Sequence, residues 1–119
     1  MKRVLIADDS IAVARQLEKV VISTGEFEVI GHAKNGAEAI KLNQTENPDI
    51  ICMDLNMPIM DGLTALRNIK ALDGEVQVVM VTSLGGVGDK FSEALKLGAR
   101  NVISKPFEAE NVLNILRGL

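Results

Sequence analysis

Residues 50–58 read Ile-Ile-Cys-Met-Asp-Leu-Asn-Met-Pro, and this stretch decides the fold. Four consecutive apolar residues without alternating polar ones are typical of a strand buried on both faces, as in a parallel sheet. Similar short runs rich in Val and Ile recur at residues 4–7, 27–30, 76–81 and 102–103. We therefore predict five buried strands.

Segments with helical spacing of apolar residues separate these runs. Their stripes are Ile11, Ala14, Leu17 and Val21; Ala39, Ile40 and Leu42; Leu63, Leu66, Ile69 and Leu72; Phe91, Ala94, Leu95 and Leu97; and Val112, Leu113, Ile115 and Leu116. Five repeats of a strand followed by a helix predict an α/β fold, in which right-handed crossovers place helices on both faces of a parallel sheet. Because 119 residues are too few for an eight-stranded barrel, we predict an open, doubly wound five-stranded sheet.

Length and composition indicate one ordinary globular domain spanning residues 1–119. The formal net charge is -3 and no basic run occurs, which argues against nucleic acid or an anionic membrane as a partner. A single cysteine forms no internal disulfide, which fits a reducing compartment. No apolar run is long enough for a signal peptide or a bilayer span, so we expect a cytoplasmic protein.

Polar residues that could take part in binding or catalysis lie at the ends of the predicted strands. In open parallel sheets, ligands bind beyond the carboxyl ends of the strands, which all lie at one edge. We therefore expect the following residues to converge: Asp8 and Asp9 after the first strand, Asp54 at the end of the third, Thr82 and Ser83 at the end of the fourth, and Lys105 at the end of the fifth.

Three carboxylates at one edge repel one another, since two charges about 4 Å apart cost about 4 kcal/mol at an effective dielectric of about 20. Oxygen ligands suit Mg²⁺, and Mg²⁺ together with Lys105 balances the three negative charges. This combination serves phosphoryl transfer, in which a carboxylate is the nucleophile. Asp54 stands alone after its strand, so we assign it as the nucleophile. Asp8 and Asp9 point in different directions as neighbours, and we assign Asp9 as a direct metal ligand and Asp8 as a ligand through water.

The residues that carry this chemistry form a set of motifs in a fixed order. Asp8-Asp9, the run MDLNMPIMDG at residues 53–62, Thr82-Ser83 and Lys105-Pro106-Phe107 resemble the receiver domain of bacterial two-component response regulators, of the CheY-like single-domain type. The resemblance covers essentially the whole chain. It implies a flavodoxin-like sheet with the strand order 2-1-3-4-5.

The resemblance also implies a set of residue roles. A histidine kinase would phosphorylate Asp54, with Mg²⁺ held by Asp9, Asp54 and the backbone carbonyl of Asn56. Lys105 would bond the phosphoryl group, the Thr82 hydroxyl would move toward it, and the Lys105-Pro106 bond would be cis.

The function implied is a stand-alone phosphorylation switch, not an enzyme with a separate substrate. Such a domain catalyses its own phosphoryl transfer and autodephosphorylation. It would bind an unknown output protein through the face made by the fourth helix, fifth strand and fifth helix, in chemotaxis or motility control.

Two features depart from the family pattern. The family often has an aromatic residue three positions before the lysine, and this chain has Val102 there. A glycine-rich segment, Gly85-Gly86-Val87-Gly88, follows the fourth strand. Because glycines lower the cost of unusual backbone angles, we hypothesise that this loop carries the signal in place of a rotating ring.

Other functions are compatible with parts of the pattern. An aspartate-nucleophile phosphatase or phosphotransferase commonly has a second acidic residue two positions after the nucleophile, where this chain has Asn56. The chain would also suit a receiver fragment of a larger multidomain regulator. A flavin-binding domain is disfavoured because Asp8-Asp9 would repel its phosphate. His32 is the single histidine and Cys52 lies in an apolar run, so a zinc site is improbable.

Overall fold

The computed structural model describes residues 1–83 and 88–119, with the side chains of residues 88–90 excepted. Five strands alternate with five helices along the chain. They are β1 (Lys2–Ala7), α1 (Ile11–Ile22), β2 (Phe27–Ala33), α2 (Gly36–Glu46), β3 (Ile50–Asp54), α3 (Gly62–Leu72), β4 (Gln77–Ser83), α4 (Gly88–Lys96), β5 (Asn101–Lys105) and α5 (Ala109–Arg117). Residues 85–87 of the glycine-rich loop lie outside the described residues, so our hypothesis about that loop stays a prediction.

The sheet is parallel throughout, with strands in the order β2-β1-β3-β4-β5. This arrangement confirms the predicted fold class and strand order. β3 occupies the centre, where Met53 pairs with Ala7 on one side and with Met80 on the other. The carboxyl ends of all five strands therefore lie at one edge.

Two hydrophobic clusters cover the two faces of the sheet, and β3 contributes to both. Ile51 and Met53 join the cluster that includes the buried faces of α2 and α3, whereas Ile50 and Cys52 join the cluster of α1 and α5. All five residues of β3 are buried. Burial on both sides explains why this strand lacks alternating polar residues.

Side-chain caps begin three of the helices at this edge. Ser10 accepts a hydrogen bond from the Val13 N–H at the start of α1, and Asn35 and Asp61 play the same role for α2 and α3. Such caps satisfy backbone N–H groups that have no partner within the helix.

Four residues of the predicted helical stripes are exposed instead of buried. Ile11 and Leu72, which are 60% and 63% exposed, are the first residue of α1 and the last residue of α3. On α4, Ala94 is buried while Phe91 and Leu95 remain 36% and 42% exposed. Within residues 1–83 and 88–119, no helix has the length and apolar character needed to span a bilayer.

α3 begins against the backbone of β3, and this contact requires a glycine. A Cβ atom on Gly62 would lie 2.1 Å from the Asp54 carbonyl oxygen and 2.9 Å from Met80 Cε. The Gly62 N–H also donates to the Leu55 carbonyl at 2.9 Å. The absence of a side chain therefore sets the distance between α3 and the end of β3.

We expect Gly62→Ala to lower the free energy of unfolding by about 2 kcal/mol or more, since the backbone of β3 cannot yield to the new methyl group. Urea denaturation measures this loss. Gly74→Ala is the matched control, because a Cβ there meets nothing within 4 Å, and its effect should stay within about 0.5 kcal/mol. Equal stabilities of the two variants would contradict the close contact.

Candidate functional site

The carboxyl edge of the sheet brings the three predicted acidic residues together. Asp8 directly follows β1, Asp9 comes next, and Asp54 is the last residue of β3. One carboxylate oxygen from each lies within 4.8 Å of the others. Asp8 and Asp54 are each only 6% exposed, whereas Asp9 is exposed. The site is therefore an acidic pocket with two carboxylates in its wall and a third at its opening.

Lys105 crosses this pocket from β5 and contacts both buried carboxylates. Its Nζ donates to Asp8 Oδ2 and to Asp54 Oδ1, each at 3.1 Å. These pairs join residues 97 and 51 positions apart in sequence. The ammonium group is thus held at the nucleophile assigned from the sequence.

The backbone around Asp8 places the two adjacent aspartates in different environments. Asp8 Oδ1 accepts a hydrogen bond from the Ser10 N–H at 2.9 Å, which leaves Oδ2 to face Lys105. The Asp8 N–H donates to the Ala33 carbonyl at the end of β2. Asp8 is therefore fixed on both sides, while Asp9 faces solvent.

The two charged groups at the centre of the pocket have shifted pKa values. Burial, with a further contribution from the charge of Asp8, raises the pKa of Asp54 despite the attraction of Lys105 and a hydrogen bond from the Asn56 backbone. Burial opposes the charge on Lys105, but its contacts with Asp8 and Asp54 outweigh burial and raise its pKa. Lys105 remains positive at neutral pH, so the pocket holds one lysine charge against several carboxylates.

The donor set of the pocket fits a hard divalent cation. Three carboxylates with oxygens within 4.8 Å are the kind of ligands that Mg²⁺ accepts, and one lysine leaves part of their negative charge unbalanced. The exposed side of the cluster, at Asp9, gives access from solvent. The described contacts do not involve the Asn56 carbonyl, and its role as a ligand stays a prediction.

Thr82 lies near the end of β4 and is 4% exposed. Its Oγ1 donates to the carbonyl of Ser83 at 3.2 Å, so its hydroxyl is engaged with its own strand. Ser83 itself is exposed and pairs in register with Lys105. The movement of the Thr82 hydroxyl toward a phosphoryl group remains a prediction.

Other sequence-based expectations have clear outcomes. The Lys105-Pro106 bond is cis, as the resemblance implied. Val102 is half-buried and packs against the core cluster of α2 and α3. His32 forms a surface pair with Glu18, and burial raises the pKa of the Cys52 thiol to about 12.

Our sequence reasoning missed two contacts that shape the site. The close approach of Gly62 to the Asp54 carbonyl leaves no mark in the sequence beyond a glycine after an N-cap aspartate. The Gly36 N–H donates to the Met60 carbonyl at 2.9 Å, which ties the loop after β3 to the start of α2. No local sequence pattern identifies this partner of Gly36.

A strongly acidic pocket crossed by a lysine, at the carboxyl edge of a 2-1-3-4-5 sheet, defines a class of signalling domain. The chain belongs to the response regulator receiver domain family, whose sequence pattern matches residues 4–117. Phosphorelay signalling and Mg²⁺ binding are general features of this family.

Among relatives, the chain is 40% identical over 116 residues to the chemotaxis protein CheY of Listeria monocytogenes, covering 98% of this chain and 96% of that protein. It is 41% identical to part of a protein-glutamate methylesterase/protein-glutamine glutaminase of Pseudoalteromonas atlantica, covering 89% of this chain and 28% of that protein. The crystal structure of the CheX-CheY-BeF3-Mg²⁺ complex from Borrelia burgdorferi matches with a TM-score of 0.91 and 34% identity, covering 98% of this chain and 87% of that chain. The chain is therefore a CheY-like receiver domain.

The raised pKa of Asp54 predicts a stability effect of its replacement. Since the folded-state pKa is raised, ionised Asp54 opposes folding at neutral pH, and this penalty disappears as the pH falls below the unfolded-state pKa. We expect Asp54→Asn to be more stable than the parent chain at about pH 7 without Mg²⁺, with the difference shrinking toward about pH 4. Urea denaturation across this range measures the difference.

Asp49→Asn is the matched control at the other end of β3. Asp49 is exposed, and its Oδ2 accepts the Arg3 N–H at 2.9 Å, so its replacement should not stabilise the chain. A difference between Asp54→Asn and the parent that does not change with pH would contradict the electrostatic cause.

Proposed function

We propose that residues 1–119 form a stand-alone phosphorylation switch, in which Asp54 accepts a phosphoryl group from a histidine kinase. The observation that carries this proposal is the position of Lys105 Nζ, 3.1 Å from both Asp8 and Asp54 in a buried acidic pocket. The chain covers 96% of the length of the Listeria CheY, which supports a function like that of a CheY receiver domain. Chemotaxis or motility control is the pathway favoured by the CheY relatives.

The reaction is a direct displacement at phosphorus. An Asp54 carboxylate oxygen attacks the phosphorus of a phosphohistidine, the phosphorus–nitrogen bond breaks, and the imidazole nitrogen takes the electron pair and then a proton. The product is an acyl phosphate on Asp54. Because Asp54 lies within reach of Lys105, the ammonium group moves from a carboxylate oxygen to a phosphoryl oxygen and balances the added charge.

Asp9 and Asp54 would hold Mg²⁺ directly, together with the backbone carbonyl of Asn56, and Asp8 would act through water. When bound, the ion neutralises charge on the transferring phosphoryl oxygens. The exposure of Asp9 supports its role as a direct ligand. Asp8 is assigned to act through water because its two carboxylate oxygens already accept hydrogen bonds from Ser10 and Lys105. The 4.8 Å clustering of the three carboxylates supports this assignment.

Phosphorylation acts on partners through a shift between two conformations. The Thr82 hydroxyl leaves the Ser83 carbonyl and bonds the phosphoryl group, which changes the end of β4. An output protein binds the face formed by α4, β5 and α5, where Phe91 and Leu95 are partly exposed. Val102 has no ring to rotate, so the change at the end of β4 reaches this face through the backbone.

We expect incubation with acetyl phosphate and Mg²⁺ to add the mass of one phosphoryl group to the chain. Asp54→Asn should abolish the gain, and chelation of Mg²⁺ should prevent it, because nucleophile and counter-charge are both required. Asp49→Asn, which alters an exposed carboxylate at the far end of β3, should be labelled like the parent. Intact-protein mass spectrometry measures the gain, and labelling that persists in Asp54→Asn would falsify the assignment.

The lifetime of the phosphoryl group separates a switch from an enzyme. Asn56 provides no second carboxylate to activate water two positions after the nucleophile. We therefore expect the phosphorylated chain to lose its label over minutes after donor removal, as followed by mass spectrometry. Decay within milliseconds would instead favour the phosphatase or phosphotransferase alternative.

A further inference from the structure

The loop between β3 and α3 begins at the acidic pocket and is held at several points. Its first N–H group, on Leu55, donates to the Val81 carbonyl at 3.0 Å, and the Asn56 backbone bonds the Asp54 carboxylate. Near its other end, the Met60 carbonyl accepts the Gly36 N–H at 2.9 Å. The loop therefore has a fixed path along the rim of the pocket.

Ile59 lies at the tip of a tight turn in this loop. The Met60 N–H donates to the Pro58 carbonyl at 2.6 Å, which closes a three-residue γ-turn around Ile59. The φ angle of Ile59 is 68°, in the region that favours glycine. A β-branched residue with this φ is an outlier, and this form of γ-turn is strained.

The fold explains the backbone of this turn but not its side chain. The backbone hydrogen bonds of Asn56 and Met60 hold the loop in this turn, and glycine would adopt the same φ without strain. The Ile59 side chain is 86% exposed, the largest value for a large hydrophobic side chain in the described part of the chain. It belongs to neither core cluster of the described residues. An apolar, β-branched side chain at this position therefore carries a local cost that nothing inside the fold offsets.

The position of Asp54 limits what contacts Ile59. Asp54 is 6% exposed, so a donor residue must enter the pocket to bring its phosphorus to the carboxylate. The protein around that residue then covers the rim, which includes the loop that leaves the pocket at Asn56. Ile59 follows three positions later, with its side chain directed to solvent.

We infer that Ile59 is a docking contact for the protein phosphodonor, which presents its phosphohistidine beside an apolar surface. This inference rests on the proposed function, because it takes Asp54 as the acceptor. Burial of the Ile59 side chain by the donor would offset the strain that the free chain carries. A small phosphodonor enters the pocket without touching Ile59, so its rate of phosphoryl transfer should not depend on this residue.

The test compares two kinds of donor with three forms of the chain. Ile59→Asn removes the apolar side chain while keeping a residue that tolerates positive φ. Leu72→Asn is the matched control, since Leu72 is 63% exposed at the far end of α3. The donors are phosphoramidate and a panel of purified, phosphorylated histidine-containing domains of histidine kinases, used below saturation so that transfer rates report kcat/KM.

For the panel domain that is fastest with the parent chain, we expect Ile59→Asn to lower kcat/KM by about tenfold. Leu72→Asn should stay within about twofold of the parent. With phosphoramidate, all three forms should be labelled at equal rates. Urea denaturation of Ile59→Asn, with an expected stability at least equal to that of the parent, verifies that the variant is folded.

Three results would overturn the inference. One is an unchanged rate of Ile59→Asn with the protein donor, and another is an equal loss with phosphoramidate, which would indicate a role in pocket geometry. The third is a panel in which no domain phosphorylates the parent faster than phosphoramidate does. Contacts at the rim of the pocket would then give protein donors no advantage in transfer rate. In each case, labelling of Asp54 by phosphoramidate would still support Asp54 as the phosphoryl acceptor. Failure of the inference about Ile59 is therefore distinguishable from failure of the proposed function.

Discussion

The ammonium group of Lys105, 3.1 Å from the carboxylates of both Asp8 and Asp54, is the interaction on which the rest of the site depends. It joins the ends of β1, β3 and β5, which are far apart in sequence. Without this cation, two buried carboxylates would face each other in a medium that screens them poorly. The contact therefore favours the ionised form of Asp54 at a position where burial favours the protonated acid.

The same balance of charge explains why the pocket remains ready for reaction. One lysine does not neutralise three acidic groups. Because Asp9 is exposed, the excess negative charge is accessible from solvent. A divalent cation and a phosphoryl group bring charges of opposite sign into this space. If the proposed function holds, metal binding and phosphorylation would support each other, because each would lower the electrostatic cost of the other.

Much of the fold and of the pocket could be predicted from the sequence because both follow from strand polarity. The apolar run at Ile50–Met53 indicated burial on two faces, and the polar residues after each strand then had to meet at one edge. The exposure of Ile11 and Leu72 could not be predicted, since helical spacing does not reveal which residues at the ends of a helix remain uncovered. The Thr82 hydroxyl bond and the contact of Gly62 with Asp54 depend on distances of a few ångströms between elements, which no local pattern encodes.

The Cys52 thiol can report on opening of the sheet. Cys52 is the single cysteine, it is buried in the central strand two positions before Asp54, and its thiol has a pKa of about 12. Alkylating reagents require a thiolate in contact with water, so they modify this sulfur only when the sheet opens. The rate of thiol modification consequently measures opening of the sheet without an added label, and any ligand that tightens the domain slows that chemistry.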